Sequence, residues 1–118
     1  MDWLPDFVAQ HAASQSKLPR EASALGAMRL FGTIGSDVFL TPSGDVWALA
    51  EVGDGEEWTP LTNVDRNAAI CVALKRFPEL VLLLPRRPTD ASDCSTCQGA
   101  GRLREMTCHT CGGLGWVA

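Results

Sequence analysis

The stretch CSTCQGAGRLREMTCHTCGGLG, residues 94 to 115, constrains the fold more than any other part of the chain. It is a repeat of period 14, in which Cys94, Cys97, Gly99 and Gly101 recur as Cys108, Cys111, Gly113 and Gly115, with Thr96 matched by Thr110. Two thiolates separated by two residues can approach one tetrahedral ion from a tight turn. Two such turns complete a four-sulfur shell with metal–sulfur distances of about 2.3 Å. Glycines beside the sulfurs let the backbone turn sharply, and their amides can donate to the thiolates and spread the charge. The spacing therefore predicts one structural zinc held by Cys94, Cys97, Cys108 and Cys111, supported by Gly99, Gly101, Gly113 and Gly115. A closed shell leaves no position for water, which argues against a catalytic metal, and His109 inside CHTC reads as a solvent-facing spacer. Iron, or a pair of disulfides, are the alternatives the spacing leaves open.

A tail this rich in glycine cannot build a core of its own and needs something other than burial to hold it. Upstream, Pro85, Pro88 and the polar run RRPTDASD form a stiff linker, so the expected division is an α+β domain at 1–88 and a zinc module at 89–118. In the front part, Leu4, Phe7, Val8 and Ala12 recur at helical spacing and predict a short helix to about Ser16. A weaker helical segment follows Pro19 and stops at Gly26. From Met28 to Thr62 the texture becomes β-like, interrupted by turn signals at TPSGD and GDGEE, which predicts three or four antiparallel strands in one sheet. Asn63 or Asp65 can cap a helix over VDRNAAICVALKRF, and Pro78 opens a shorter helical turn that Pro85 ends. Both are apolar nearly all round, which predicts packing on the sheet. Cys71, the fifth cysteine, reads as a small buried hydrophobe.

The doubled Cys-x-x-Cys-x-Gly-x-Gly resembles the cysteine-rich zinc domain of DnaJ chaperones, and its ten-residue gap is also similar to anti-TRAP of bacilli. The resemblance implies zinc-linked β-hairpins that contact other proteins. It departs from DnaJ in having two repeats rather than four, and no His-Pro-Asp signature of a J domain is present. The order helix, antiparallel strands, helix, with LFGTIGSDVFLTPSGDVW at its centre, resembles the texture of the SUKH superfamily, which implies a bacterial immunity-type protein.

Function follows from these parts as an expectation. The start, MDWLPDFVAQ, is acidic where a secretory signal is basic, and the longest apolar run, LVLLL, is too short to span a bilayer, so a cytoplasmic protein without membrane contact is expected. Residues 1–60 carry three basic and nine acidic side chains, among them Glu51, Asp54, Glu56 and Glu57, an acidic stretch suited to a basic partner or simply solvated. Around the zinc module Arg102, Leu103, Arg104, Met106 and Trp116 are the candidate partner contacts, with docking of the tail on the body the favoured reading of Trp116 and the other reading of Leu103 and Met106. No nucleophile–base pair or phosphate-cradling loop occurs, so a non-catalytic protein acting in protein–protein recognition is expected, its oligomeric state open. Two alternatives remain. One is a nucleic-acid-binding regulator using Arg86, Arg87, Arg102 and Arg104, against which the net negative charge stands; the other is a thiol–disulfide oxidoreductase, against which the glycine surroundings of the cysteines stand.

Overall fold

A computed structural model describes residues 2–33 and 35–118 of the 118-residue chain. It divides into two compact units, Met1–Leu61 and Thr62–Ala118. The fold is α+β, with a four-stranded antiparallel sheet, helices and a C-terminal cysteine cluster.

The first unit opens with helix α1, Leu4–Ser14, which buries Leu4 and Val8. It ends two residues before the expected Ser16 because Gln15 turns to extended backbone. The Gln15 side-chain amide then pairs with strand β1, Met28–Thr33: its Nε2 donates to the Arg29 carbonyl at 2.8 Å, and the Arg29 N–H donates to its Oε1 at 2.7 Å. That pairing satisfies edge-strand groups which would otherwise face water. Between them lies the short helix α2, Arg20–Ala24, entered from Pro19, and Gly26 follows it at φ 68°, as the stop signal predicted.

The sheet runs in the order β1, β2 (Ser36–Leu40), β3 (Val46–Val52), β4 (Gly55–Leu61), all antiparallel. Turn chemistry places the connections. TPSGD folds on itself through Thr41, whose hydroxyl accepts the Asp45 N–H at 3.0 Å, and Gly44 takes φ 94°. A two-residue loop, Gly53–Asp54, joins β3 to β4, with Gly53 at φ 58°. Pro60 is tolerated because β4 is an edge strand.

Register puts Met28, Leu40 and Val46 on one face and Phe39, Trp47, Leu49 and Trp58 on the other. Val38, Phe39 and Leu40 are consecutively buried, so β2 is covered on both faces and loses the alternation of a half-exposed strand. Phe39 and Leu49 pack with Ala22 and Ala27, and Leu18 and Trp58 close that cluster. Trp47 stacks on Trp58 with ring centres 5.5 Å apart, and Trp58 reaches Phe39 at 5.4 Å. These tryptophans lie on a face of the sheet.

The second unit opens with helix α3, Asn63–Ala73. Thr62 is its N-cap residue, with no side-chain cap bond, so the cap position falls just before Asn63 and Asp65 rather than on either; Asn63, the first residue of the helix, takes the left-handed φ of 54°. Ala69, Ile70 and Ala73 make the buried stripe. A 3-10 helix, Pro78–Leu83, buries Leu80 and Leu83 and is tied back by Arg66, whose Nη1 donates to the Leu83 carbonyl at 3.2 Å. Neither element is buried all round, since Val72, Val81 and Leu82 are exposed. The remaining elements are pairs of residues: β5 (Ser92–Asp93), β6 (Arg102–Leu103), β7 (Met106–Thr107) and β8 (Trp116–Val117). Within this unit α3 packs on the 3-10 helix and on β7. The unit therefore begins at Thr62, well before the composition change near residue 88. Among the described residues no helix is long and apolar enough to cross a membrane.

Candidate metal centre

Each Cys-x-x-Cys turn is closed by its own backbone. Gly99 donates to the Cys94 carbonyl at 3.1 Å, and Leu114 to the Cys111 carbonyl at 3.3 Å. The two turns are then locked to each other by matching bonds, Cys94 N–H to the Gly115 carbonyl and Cys108 N–H to the Gly101 carbonyl, both 3.0 Å. Strand pairing repeats the match. The β6–β7 hairpin sets Arg102 opposite Thr107, and advancing one residue of the pair by the repeat while the other moves back converts this into Trp116 opposite Asp93, the register of β5 with β8. The module is thus a pseudo-twofold object in which each repeat completes the other's two-residue sheet.

The symmetry brings the sulfurs together. All four thiols are buried and unbridged, and their Sγ atoms lie within 4.8 Å of one another. Cys94 and Cys108 stand 3.9 Å apart and Cys97 and Cys111 3.7 Å apart. A disulfide needs about 2.05 Å, whereas a tetrahedron with metal–sulfur bonds of about 2.3 Å has sulfur–sulfur edges of about 3.8 Å. These four residues can hold one metal ion.

Gly101 and Gly115 donate their N–H groups to the Cys97 and Cys111 sulfurs, each at 3.2 Å. Their φ angles are 76° and 84°, and a Cβ on either would stand 2.6 Å or 2.7 Å from a carbonyl oxygen of the opposite repeat, that of Gly113 or Gly99. Only glycine fits there. Gly99 and Gly113 act differently: both have positive φ, and Gly99 serves the Cys94 carbonyl rather than a sulfur. The N–H of Cys97 holds the Cys94 thiol below its usual range, and the N–H of Cys111 does the same for Cys108, down to about 6. Burial pushes Cys97 up to about 11. The first sulfur of each pair is therefore shifted towards the thiolate, the form a metal binds.

Of the other sequence candidates, Leu103 packs against the cysteine cluster with Leu114 and Val117. Arg102 and Arg104 are exposed on the hairpin, Arg104 at φ 58°, and Met106 is 74 % exposed. Trp116 is half-buried in β8, and His109 is exposed. Glu51, Asp54, Glu56 and Glu57 are exposed on the β3–β4 hairpin of the first unit, with Glu51 directly opposite Glu56, a like-charge pairing that costs stability.

Sequence reasoning missed what distinguishes the two repeats. Gln98 corresponds to Gly112, and both take positive φ, 55° and 65°. Gln98 is exposed, but a Cβ at Gly112 would meet the Val64 carbonyl oxygen at 2.7 Å. One at Gly113 would meet the Cys71 sulfur at 2.8 Å. The second turn thus lies flat against α3 and the first does not. The only signal was a glycine pair at 112–113 where the first repeat has Gln98 and Gly99.

Comparison with family models, with curated proteins and with solved structures found no match. The DnaJ, anti-TRAP and SUKH resemblances therefore rest on the quoted residues alone.

Proposed function

We propose that the chain is a non-catalytic zinc protein whose cysteine module serves protein–protein recognition. The zinc half of this reading is carried by one observation: four buried sulfurs within 4.8 Å of one another, two of their pairs at the edge length of a thiolate tetrahedron, with backbone donors already on them. Four thiolates favour zinc among the divalent ions, and the closed shell leaves no open coordination position. Zinc bound this way supplies folding energy on the order of 10 kcal/mol to a segment with almost no apolar core of its own.

The recognition half draws on what the module holds outward. Arg102, Arg104 and Met106 stand on a hairpin whose Leu103 is anchored to the sulfur cluster, so the exposed side chains are presented from a fixed base. Affinity capture from the native cell with the full chain, and with Arg102→Ala combined with Met106→Ala, tests it. Retention by the wild type and loss by the double variant supports the reading; equal capture by both refutes it. Binding to mixed-sequence oligonucleotides that weakens steeply with salt would replace it with the nucleic-acid alternative.

A further inference from the structure

Within the second unit a cleft of about 380 Å³ opens between the end of α3 and the cysteine module. Cys71, Val72 and Lys75 line one side, and Arg102, Glu105 and Thr107 the other. Its size falls within the range of small-ligand sites, in which a mostly apolar wall carries a few polar groups. The side chains of Lys75, Arg102 and Glu105 have no ion-pair or hydrogen-bond partner among the described residues. Among the side chains that line the cleft, two cations stand against one acid. An anion entering here meets unspent donors, and the walls of Val72, Leu74 and Ala100 take an apolar body.

We propose that this cleft binds a small ligand carrying one anionic head, carboxylate or phosphate, on a short apolar body, held by Lys75 and Arg102. The site is separate from the four sulfurs and goes beyond the recognition role.

Cys71 gives a built-in probe, because its half-buried thiol lines the cleft and stands outside the metal cluster. In the metal-loaded full chain its alkylation is timed with iodoacetate and with iodoacetamide. In both reactions the Cys71 sulfur forms a bond to carbon and iodide leaves. Burial pushes the Cys71 thiol up, so reaction is slow, but the same small thiolate fraction serves both reagents and cancels in their ratio. The iodoacetate-to-iodoacetamide ratio should exceed that of a free model thiol by about tenfold. It should fall towards the model value in Lys75→Ala, in Arg102→Ala and at high salt. Butyrate or inorganic phosphate should slow alkylation where neutral butyramide does not, and whichever anion protects better identifies the head. A wild-type ratio equal to that of the model thiol overturns the proposal, as does a ratio unmoved by salt and by both substitutions. Both side chains are exposed, and the salt series needs no variant. Metal content measured on the same samples separates failure of this site from failure of the zinc reading.

Discussion

The difference between the two repeats makes Gly112→Ala the most informative substitution, because Gln98→Ala supplies its control at the equivalent position. At φ 65° an alanine enters the left-handed region, which costs about 1–2 kcal/mol. Its Cβ would also stand 2.7 Å from the Val64 carbonyl oxygen and 3.3 Å from the Asn67 Cβ. Backbone cannot swing aside as a flexible side chain can, so overpacking adds about 1–3 kcal/mol. The expected loss is about 2–5 kcal/mol. Gln98 already pays the left-handed cost as a residue with a Cβ and is exposed, so its change to alanine should stay within about 0.5 kcal/mol. Release of metal to a colorimetric chelator along a urea series reads the second unit specifically. With a slope near 1 kcal/mol per molar for so small a unit, the Gly112→Ala midpoint should drop by about 2 M or more. If the two variants shift alike, α3 does not rest on the second turn and the account of the asymmetry is wrong.

Other outcomes follow from the same structure. Gly101→Ala and Gly115→Ala should damage metal retention about equally, since each pushes a Cβ against a carbonyl of the opposite repeat; a large inequality would contradict the pseudo-twofold. Acid should release the metal. The Cys108 thiol is depressed in the folded chain, so its contribution is present above the ordinary thiol value and is lost as pH falls through about 6. Metal content followed by dialysis should hold at neutral pH and decline on acidification, and loss on raising the pH instead would refute the sign. Chelation at neutral pH should abolish amide protection over residues 92–118, while strands β1 to β4 keep theirs, because the Phe39–Leu49–Trp58 cluster owes nothing to the sulfurs. Hydrogen exchange checks this, and simultaneous loss in both segments would refute it.

How much of this was legible in the sequence depends on the range of the interaction involved. The sulfur cluster, the sheet and the turns at Gly26, TPSGD and GDGEE are local signals, each written within a few residues. Pairing within the module is not local. Period 14 announces two similar turns, but nothing in it says that β5 crosses to β8 so that each repeat completes the other. The grouping of α3 with the cysteines was hidden for the same reason. Composition changes near Pro88, yet the contact that matters is a bare Gly112 backbone beneath Val64 and Asn67, which depends on packing rather than on patterning. Helix starts were misread on a smaller scale. Asn63 is a good capping residue by type, but the helix already begins at Asn63 and its cap position falls one residue earlier, on Thr62.

The central claim is that four thiolates and one ion hold the C-terminal module. Native mass spectrometry of the chain purified without added metal tests it most directly. The account predicts a mass raised by one zinc per chain, with four thiol protons displaced and the Cys71 thiol still open to alkylation. A metal-free mass, or one lighter by two disulfides, would contradict it.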